Sequence, residues 1–195
     1  MFHDIPGPML ARMRDLEDID ARDQRDGTPQ AKRMRQIPPE TGRFLALLLA
    51  SAPPGGVLEV GTSAGYSSLW LSLACRERGD TLTTFEVHPN KIELAHQTFH
   101  MAGVENLVQL VEGDARQHLA AYTRTAFCFM DAEKDLYQAC YDLVIPNMVP
   151  GGIFAADNAT SHPELRPFLD LVLADSRVDA MVVPVGKGVL VCRKI

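Results

Sequence analysis

The chain has few cysteines, and none of them shows the paired spacing that zinc and redox sites use. Its cysteines are scattered, and no CxxC pair occurs among them: Cys75, Cys128, Cys140 and Cys192. This spacing excludes the common CxxC metal and disulfide-exchange motifs. Scattered cysteines of this kind are typical of reduced thiols in or near a core, which favours a cytoplasmic protein.

The sequence also has no long apolar run and no excess of positive charge. No segment approaches the roughly 18 apolar residues of a membrane-spanning helix, and Met1 to Asp4 contain no apolar leader core, which argues against secretion. The formal net charge of -6 does not favour binding to nucleic acid or to an anionic membrane. With 195 residues, 46% of them hydrophobic, the chain suits one well-buried domain. We therefore predict one cytoplasmic domain over residues 1–195, with no nucleic-acid or membrane partner.

The first part of the chain differs in pattern from the rest. Apolar residues between Leu10 and Ile19 recur at helical spacing among charged residues, and a second helix is predicted from Pro38 or Pro39 to Ala50. We interpret residues 1–52 as a helical lid or dimer arm that packs on a core formed by residues 53–195.

From Val57 onward, segments typical of strands and helices alternate. The predicted strands are Val57–Val60, Thr81–Phe85, Leu107–Leu110, Ala126–Met130, Gly152–Ala156, Val178–Val183 and Val189–Arg193. The predicted helices are Tyr66–Arg76, Pro89–Ala102, Ala115–Ala120, Asp135–Asn147 and Pro163–Ala174. This alternation predicts an α/β fold, Rossmann-like and doubly wound, with a mostly parallel seven-stranded sheet. A turn signal at residues 184–188 predicts a closing hairpin, so the last strand should be antiparallel to its neighbour.

The turn after the first strand is the strongest local signal. Val57–Val60 carries the acidic Glu59 and is followed by a turn with Gly61 and Gly65, then by residues that suit a helix. Such a turn at the carboxyl end of a parallel strand is where α/β proteins bind nucleotide-like ligands. Glycines there allow positive φ and a close approach of the ligand to the backbone.

Acidic residues recur at the ends of the next strands. Glu86 follows the second strand, where a carboxylate can accept both hydroxyls of a ribose; the alternative is a solvated acid. Asp114 follows the third strand. It could bind an adenine amino group or cap the next helix, and both roles are compatible.

Three oxygen-bearing side chains follow the fourth and fifth strands. Asp131 comes after one strand and Asp157 and Asn158 come after the next, so adjacent strands would bring them together. Such ligands suit a hard cation, Mg²⁺ first and Ca²⁺ or Mn²⁺ as alternatives; capping of the strand ends is the competing interpretation. Lys134, three residues after Asp131, is a candidate general base, since a nearby cation would ease its deprotonation.

The combination resembles the class I, cation-dependent O-methyltransferases of the catechol and caffeoyl-CoA type, from about Ile37 to the C-terminus. The matching segments are Leu58–Thr62 with Gly65–Ser67, Glu86, Gly113–Asp114, Asp131–Tyr137, Gly151–Gly152, Ala156–Asn158 and Pro184–Gly188. The resemblance implies the class I methyltransferase fold, S-adenosylmethionine and a divalent cation as cofactors, a small hydroxylated aromatic substrate, and a homodimer.

The resemblance also implies a role for each matching residue. The residues expected to bind the cofactor are Glu59, Gly61, Thr62, Gly65, Tyr66, Ser67, Glu86, Asp114, Ala115 and Asp131. The expected metal ligands are Asp131, Asp157 and Asn158, with Asp131 and Lys134 as the catalytic pair. Arg35–Ile37 matches the segment that covers the cofactor. The segment after Asp157 lacks the long insertion of the plant enzymes, so their substrate preference does not transfer.

Alternatives to this reading remain open at the level of sequence. One is a methyltransferase that uses no metal and methylates a different small acceptor. Another is a module that binds S-adenosylmethionine without catalysis, and the third is a dehydrogenase, which the closing hairpin disfavours.

Overall fold

The central element is a seven-stranded sheet with strand order β3-β2-β1-β4-β5-β7-β6. The structure is a computed structural model that describes residues 1–29 and 33–195. Its strands are β1 (Gly56–Val60), β2 (Leu82–Glu86), β3 (Val108–Glu112), β4 (Thr125–Met130), β5 (Met148–Ala156), β6 (Val178–Val183) and β7 (Val189–Lys194). β7 is antiparallel to both β5 and β6, whereas the pairs from β3 through β5 are parallel. The predicted mostly parallel sheet and its antiparallel last strand are confirmed.

Helices cover both faces of the sheet. They are α1 (Gly7–Asp23), α2 (Pro39–Ser51), α3 (Tyr66–Arg78), α4 (Pro89–Ala102), α5 (Tyr137–Val144) and α6 (Arg166–Leu173). Because side chains alternate along a strand, β4 sends Phe127 and Phe129 to the face covered by α1 to α4, and Cys128 and Met130 to the face covered by α5 and α6. All four side chains are fully buried, which gives the sheet a core on each side.

Some of the predicted helices are shorter than expected. The predicted helix Ala115–Ala120 is wrong: the segment forms two 3-10 turns, Ala115–Gln117 and Leu119–Ala121, separated at His118. The six-residue segment is too short to stabilise an α-helix by itself. The predicted helix Asp135–Asn147 is shorter in the structure, where α5 covers Tyr137–Val144 and is followed by a 3-10 turn that contains Pro146.

The register of the strands brings their carboxyl ends to one edge. Val60 pairs with Met130, and Met130 pairs with Ala156. The residues that follow two of these, Asp131 and Asp157, continue the ladder: the Asp131 amide donates to the Val60 carbonyl at 2.9 Å, and the Asp157 amide donates to the Met130 carbonyl at 3.0 Å. Adjacent strands therefore deliver both acids to the same edge.

The N-terminal helices pack on the helical layer of the core. The buried guanidinium of Arg12 on α1 donates to Thr98 on α4 at 2.9 Å, and the Tyr66 hydroxyl of α3 donates to Glu17 on α1 at 2.5 Å. The division into an arm of residues 1–52 and a core of residues 53–195 stays a prediction. Within the described residues, no helix is long and apolar enough to cross a membrane.

Candidate active site

A cavity of about 610 Å³ opens at the carboxyl ends of β1, β2 and β4. It lies beside the predicted edge, where open α/β sheets bind ligands. Of the predicted cofactor residues, those that line it are Gly61, Thr62, Tyr66, Ser67, Glu86, Asp114, Ala115 and Asp131. The two that do not line it are Glu59 and Gly65, and the structure shows what they do instead.

Glu59 lies beneath the floor of the cavity, fully buried. Its carboxylate accepts hydrogen bonds from the hydroxyls of Ser68 and of Thr84, the latter at 2.7 Å, and Thr84 also pairs with the Thr62 hydroxyl at 2.6 Å. Burial raises the pKa of Glu59 to about 7, although the hydroxyl groups around it oppose the shift. Glu59 therefore supports the turn of residues 61–65 (the glycine turn) from below.

Gly61 and Gly65 shape the turn in different ways. Gly61 has φ +100°, and a Cβ there would lie 2.1 Å from the Asp131 carbonyl oxygen. Gly65 is the N-cap residue just before α3, with φ +87°, and a Cβ there would lie 2.8 Å from the Phe99 ring. Gly61 therefore lets two strand ends approach each other, and Gly65 lets α4 pack against the start of α3.

Glu86 is held by main-chain amides at the end of β2. One carboxylate oxygen accepts from the Ser63 amide at 2.7 Å, and the other accepts from the amides of Val87 and His88 at 2.9 Å each. Val87 and His88 also line the cavity. Sequence reasoning missed both, although their position directly after the strand-end acid could have indicated them.

The opposite end of the cavity is formed by residues 113–116. Asp114 caps the 3-10 turn by accepting from the Arg116 amide at 2.9 Å, and it also pairs with the Arg116 guanidinium at 2.6 Å. The Arg116 hydrogen bond lowers the pKa of the Asp114 carboxyl. The capping role is thus present, and Leu136 and Cys140, which sequence reasoning also missed, complete this end.

A strap of residues 33–37 crosses the cavity. The Ser63 hydroxyl donates to the Met34 carbonyl at 3.0 Å, and the Lys91 ammonium donates to the Arg33 carbonyl at 2.7 Å. On the far side, Arg35 forms an ion pair with Glu133 at 2.9 Å. Met34 to Ile37 line the cavity, which is the position expected for a segment that covers a bound cofactor.

Asp131, Lys134 and Asn158 meet at the edge of the cavity. One Asp131 oxygen accepts from the Lys134 ammonium at 3.2 Å and from the Asn158 amide nitrogen at 2.9 Å. Lys134 also donates to the Tyr137 hydroxyl at 2.8 Å, and that hydroxyl lies 3.3 Å from the main-chain oxygen of Asp157. The predicted cluster is therefore brought together.

The donor set fits a hard cation. Asp157 is 2% exposed, and its Oδ1 has no hydrogen-bond partner among the described residues. Burial and then the charge of Asp131 raise the pKa of the Asp157 carboxyl well above its usual range. Such an unpaired buried oxygen is costly, and a cation would satisfy it. Rotation of the Asn158 side-chain amide would present its oxygen in place of its nitrogen.

The described residues contain no cluster of three or more of the commonest metal-ligating side chains. Across residues 1–29 and 33–195, no group of three or more His, Cys, Asp and Glu side chains could hold a metal ion. The predicted ligands Asp131, Asp157 and Asn158 include only two carboxylates, so they do not form such a group. His100 pairs with Glu105 at 3.0 Å and His162 with Glu164 at 2.7 Å.

Comparison with known proteins identifies the family. The sequence model described as O-methyltransferase matches residues 16–195. The chain belongs to this family. It is 30% identical to caffeoyl-CoA O-methyltransferase 2 of Populus trichocarpa, over 80% of this chain and 73% of that protein. It is 29% identical to caffeoyl-CoA O-methyltransferase 2 of Zea mays, over 80% and 69% of the two chains.

Solved structures agree with the family. The O-methyltransferase TomG of Streptomyces achromogenes, crystallised with S-adenosylmethionine, superposes on this chain with a TM-score of 0.73 at 25% identity. The aligned region covers 92% of this chain and 88% of TomG. The fold also matches the Podospora anserina methyltransferase PaMTH1, with a TM-score of 0.77 at 21% identity over 98% and 89% of the two chains. The chain is therefore a S-adenosylmethionine-dependent O-methyltransferase, and the dehydrogenase alternative is wrong.

Proposed function

We propose that this O-methyltransferase depends on a divalent cation and methylates one hydroxyl of a small aromatic with two adjacent hydroxyls. The observation that carries the proposal is the meeting of Asp131, Lys134, Asp157 and Asn158 at the edge of the cofactor cavity. Asp131 belongs to both sites, because it lines the cavity and accepts from Lys134 and Asn158. A methyl donor in the cavity would thus lie beside an acceptor at the cluster.

The cofactor would lie along the cavity between the glycine turn and residues 113–116. Ser67 and the amides around Gly61 suit its carboxylate, and Glu86 suits the ribose hydroxyls. Asp114 and Ala115 suit the adenine. Glu59 contributes from below by holding Thr84 and Ser68, so its role is support of the turn and not contact.

Asp131, Asp157 and Asn158 would hold the cation. When bound, a divalent cation of this kind binds phenolic oxygens and favours the ionised form of the one that attacks. Lys134 lies beside Asp131, with its side-chain nitrogen 3.2 Å from the carboxylate. Once deprotonated, the Lys134 amine would be placed to accept the proton of that hydroxyl. Asp131 keeps Lys134 oriented through the same contact.

One observation favours the alternative that uses no metal. Asp131 already accepts from Lys134 and from the Asn158 amide nitrogen, so this oxygen is satisfied by the chain itself. The unpaired Oδ1 of Asp157 weighs against this alternative, because without a cation it would remain buried and unsatisfied.

Methyl transfer to catechol, measured with and without EDTA, tests the proposal. We expect EDTA to abolish turnover and Mg²⁺ to restore it. Asp157→Ala should abolish turnover while the dissociation constant for S-adenosylhomocysteine, measured by calorimetry, changes little. Full activity in EDTA would support the metal-free alternative, and no transfer to any catechol under either condition would contradict the proposed substrate class.

Two further expectations stay predictions. A homodimer is expected from the family resemblance, and light scattering of the purified protein would test it. A cytoplasmic location is expected from the scattered cysteines, and fractionation of cells that express the chain would test it.

A further inference from the structure

Two charged side chains hold one peptide unit of the strap from both sides. The Arg33 carbonyl accepts from the Lys91 ammonium at 2.7 Å, and the Met34 amide donates to the Asp23 carboxylate at 3.1 Å. The Met34 carbonyl then accepts from the Ser63 hydroxyl at 3.0 Å. Asp23, Lys91 and Ser63, which we call the strap clamp, therefore bind three successive main-chain groups.

The strap clamp joins the strap to well-packed parts of the fold. Asp23 is the last residue of α1 and is buried, and Met13 and Leu16 of the same helix lie in the core. Lys91 lies in the first turn of α4, and Ser63 lies in the glycine turn. Because the three side chains come from three different parts of the chain, the strap can open only by separating from all of them.

The backbone is strained at both ends of the hydrogen bond between Ser63 and Met34. Ser63 has φ +47°, and Arg35, directly after Met34, has φ +53°. A left-handed backbone is unfavourable at residues other than glycine, and it persists only where the surrounding contacts impose it. Loss of a bond in the strap clamp would therefore favour opening of the strap.

The strap clamp acts on the cavity through Met34. Met34 is buried and lines the cavity, as Ile37 does, whereas Asp23 does not line it. A substitution at Asp23 would therefore loosen the cover of the cavity and leave the cavity wall unchanged. Segments that close over a ligand often set the rate at which the product leaves.

We propose that Asp23 is a positioning residue that controls the release of S-adenosylhomocysteine by holding Met34 and keeping the strap closed. Asp23 contacts neither the cofactor nor the acceptor and takes no part in methyl transfer. The inference rests on the proposed placement of the cofactor in the cavity beneath the strap. It is independent of the cation and of the identity of the acceptor.

Stopped-flow displacement of S-adenosylhomocysteine, without cation or acceptor, tests the proposal. Asp23→Ala should raise the dissociation rate about tenfold, the size of a lost charge-assisted hydrogen bond, and leave the association rate within about twofold. Asp23→Asn keeps an oxygen that can accept from the Met34 amide, so its dissociation rate should stay within about threefold of the wild type. A purely structural role would not produce this rescue.

Asp20→Ala is the matched control. Asp20 lies one turn earlier on α1, and its carboxylate accepts from Gln24 at 2.7 Å in an exposed hydrogen bond. This variant should release S-adenosylhomocysteine at the wild-type rate. A dissociation rate of Asp23→Ala equal to that of Asp20→Ala would overturn the inference, even if urea unfolding showed that Asp23→Ala is less stable.

Trypsin provides a direct measurement of strap opening, because the peptide bond between Arg33 and Met34 is the unit that Lys91 and Asp23 hold. Mass spectrometry should show faster cleavage of this bond in Asp23→Ala than in Asp20→Ala, and slower cleavage of the wild type when S-adenosylhomocysteine is bound. Equal cleavage of the two variants would overturn the inference.

The same measurements separate this inference from the proposed reaction. Normal binding and release of S-adenosylhomocysteine without turnover of any catechol would count against the proposed acceptor and leave the role of Asp23 intact. Absence of S-adenosylhomocysteine binding in the wild type would overturn both the placement of the cofactor and this inference.

Discussion

The ammonium nitrogen of Lys134 lies 2.8 Å from the hydroxyl oxygen of Tyr137, and that hydroxyl lies 3.3 Å from the main-chain oxygen of Asp157. The tyrosine is fully buried, and its ring packs edge-on against Phe168. The Lys134 ammonium also lies 4.8 Å from the centre of the Tyr137 ring. The candidate base is therefore positioned by a residue that connects the ends of two neighbouring strands.

Tyr137→Phe should lower kcat about tenfold, the order of a lost hydrogen bond to a charged group. Lys134 would keep its contacts with Asp131 and the Ala132 carbonyl, but its position would be less well defined. The KM for the acceptor and the dissociation constant for S-adenosylhomocysteine should stay within about twofold, because a positioning role affects the reacting geometry more than binding.

Tyr141→Phe provides the control for that change. Tyr141 is equally buried on the same helix, but its hydroxyl donates to Asp175 at 3.0 Å, away from the cavity. The Tyr141→Phe variant should be less stable than the wild type, but its kcat should be unchanged. An equal fall in kcat for both variants would show that the effect of Tyr137→Phe comes from packing.

The parts of the site that sequence reasoning predicted are those fixed by the parallel sheet. Asp131 and Asp157 could be placed together because the carboxyl ends of adjacent parallel strands share an edge. The paired registers Val60–Met130 and Met130–Ala156 confirm that reasoning.

The parts that it missed depend on contacts between distant segments. Nothing local in the sequence shows that Arg35 meets Glu133, 98 positions away. The burial of Glu59 beneath the cavity depends on Ser68 and Thr84 coming together from α3 and β2. The predicted helix Ala115–Ala120 is wrong because six residues are too few to stabilise an α-helix, and the segment forms two 3-10 turns instead.

Glu59→Gln should make the cofactor-free protein more stable relative to the wild type at high pH. The carboxyl has a reference pKa of 4.5, which we take for the unfolded chain, and a folded pKa of about 7. The stabilisation that the Glu59 carboxyl contributes is therefore fully present below its unfolded pKa of 4.5. This stabilisation is lost as the pH rises through the folded pKa of about 7. Glutamine does not titrate, so the free energy of unfolding of Glu59→Gln does not fall in this way as the pH rises.

Urea unfolding at roughly pH 5 and pH 8 would measure the difference. Between these values the wild type should lose roughly 2–3 kcal/mol relative to Glu59→Gln. Glu77→Gln is the control, since Glu77 is 59% exposed and should show little change. A constant difference between wild type and Glu59→Gln at the two pH values would contradict the raised pKa.

Gly61→Ala should destabilise the protein by about 2 kcal/mol or more. The added methyl group would meet the Asp131 carbonyl oxygen at 2.1 Å, and the residue has φ +100°. Because Asp131 would be displaced, affinity for S-adenosylhomocysteine should also fall.

Gly79→Ala separates backbone strain from steric overlap. Gly79 has φ +74°, but apart from its chain neighbours no atom of residues 1–29 or 33–195 lies within 4 Å of a Cβ at that position. We expect it to cost only about 1 kcal/mol and to leave cofactor affinity unchanged. Equal destabilisation by the two substitutions, measured by urea unfolding, would show that the close approach to Asp131 is not what requires glycine at position 61.

Arg35→Ala should speed the release of S-adenosylhomocysteine while changing its affinity only slightly. Arg35 and Glu133 are 42% and 58% exposed, and an exposed ion pair contributes about 0.2–1 kcal/mol. The strap keeps its bonds from Ser63 and Lys91, so it should still close over the cavity. Stopped-flow displacement should show a dissociation rate raised about two- to fivefold.

The ion pair itself can be distinguished from the arginine side chain by charge reversal. The double variant Arg35→Glu with Glu133→Arg should restore the wild-type dissociation rate, because the attraction is recovered with the partners exchanged. High salt should raise the wild-type rate toward that of Arg35→Ala, since exposed charges are screened. Arg166→Ala, which breaks the exposed pair with Asp170 at 2.9 Å on α6, should leave the rate unchanged. A dissociation rate that is the same in the wild type, in Arg35→Ala and at high salt would show that the strap is held by its main-chain bonds alone.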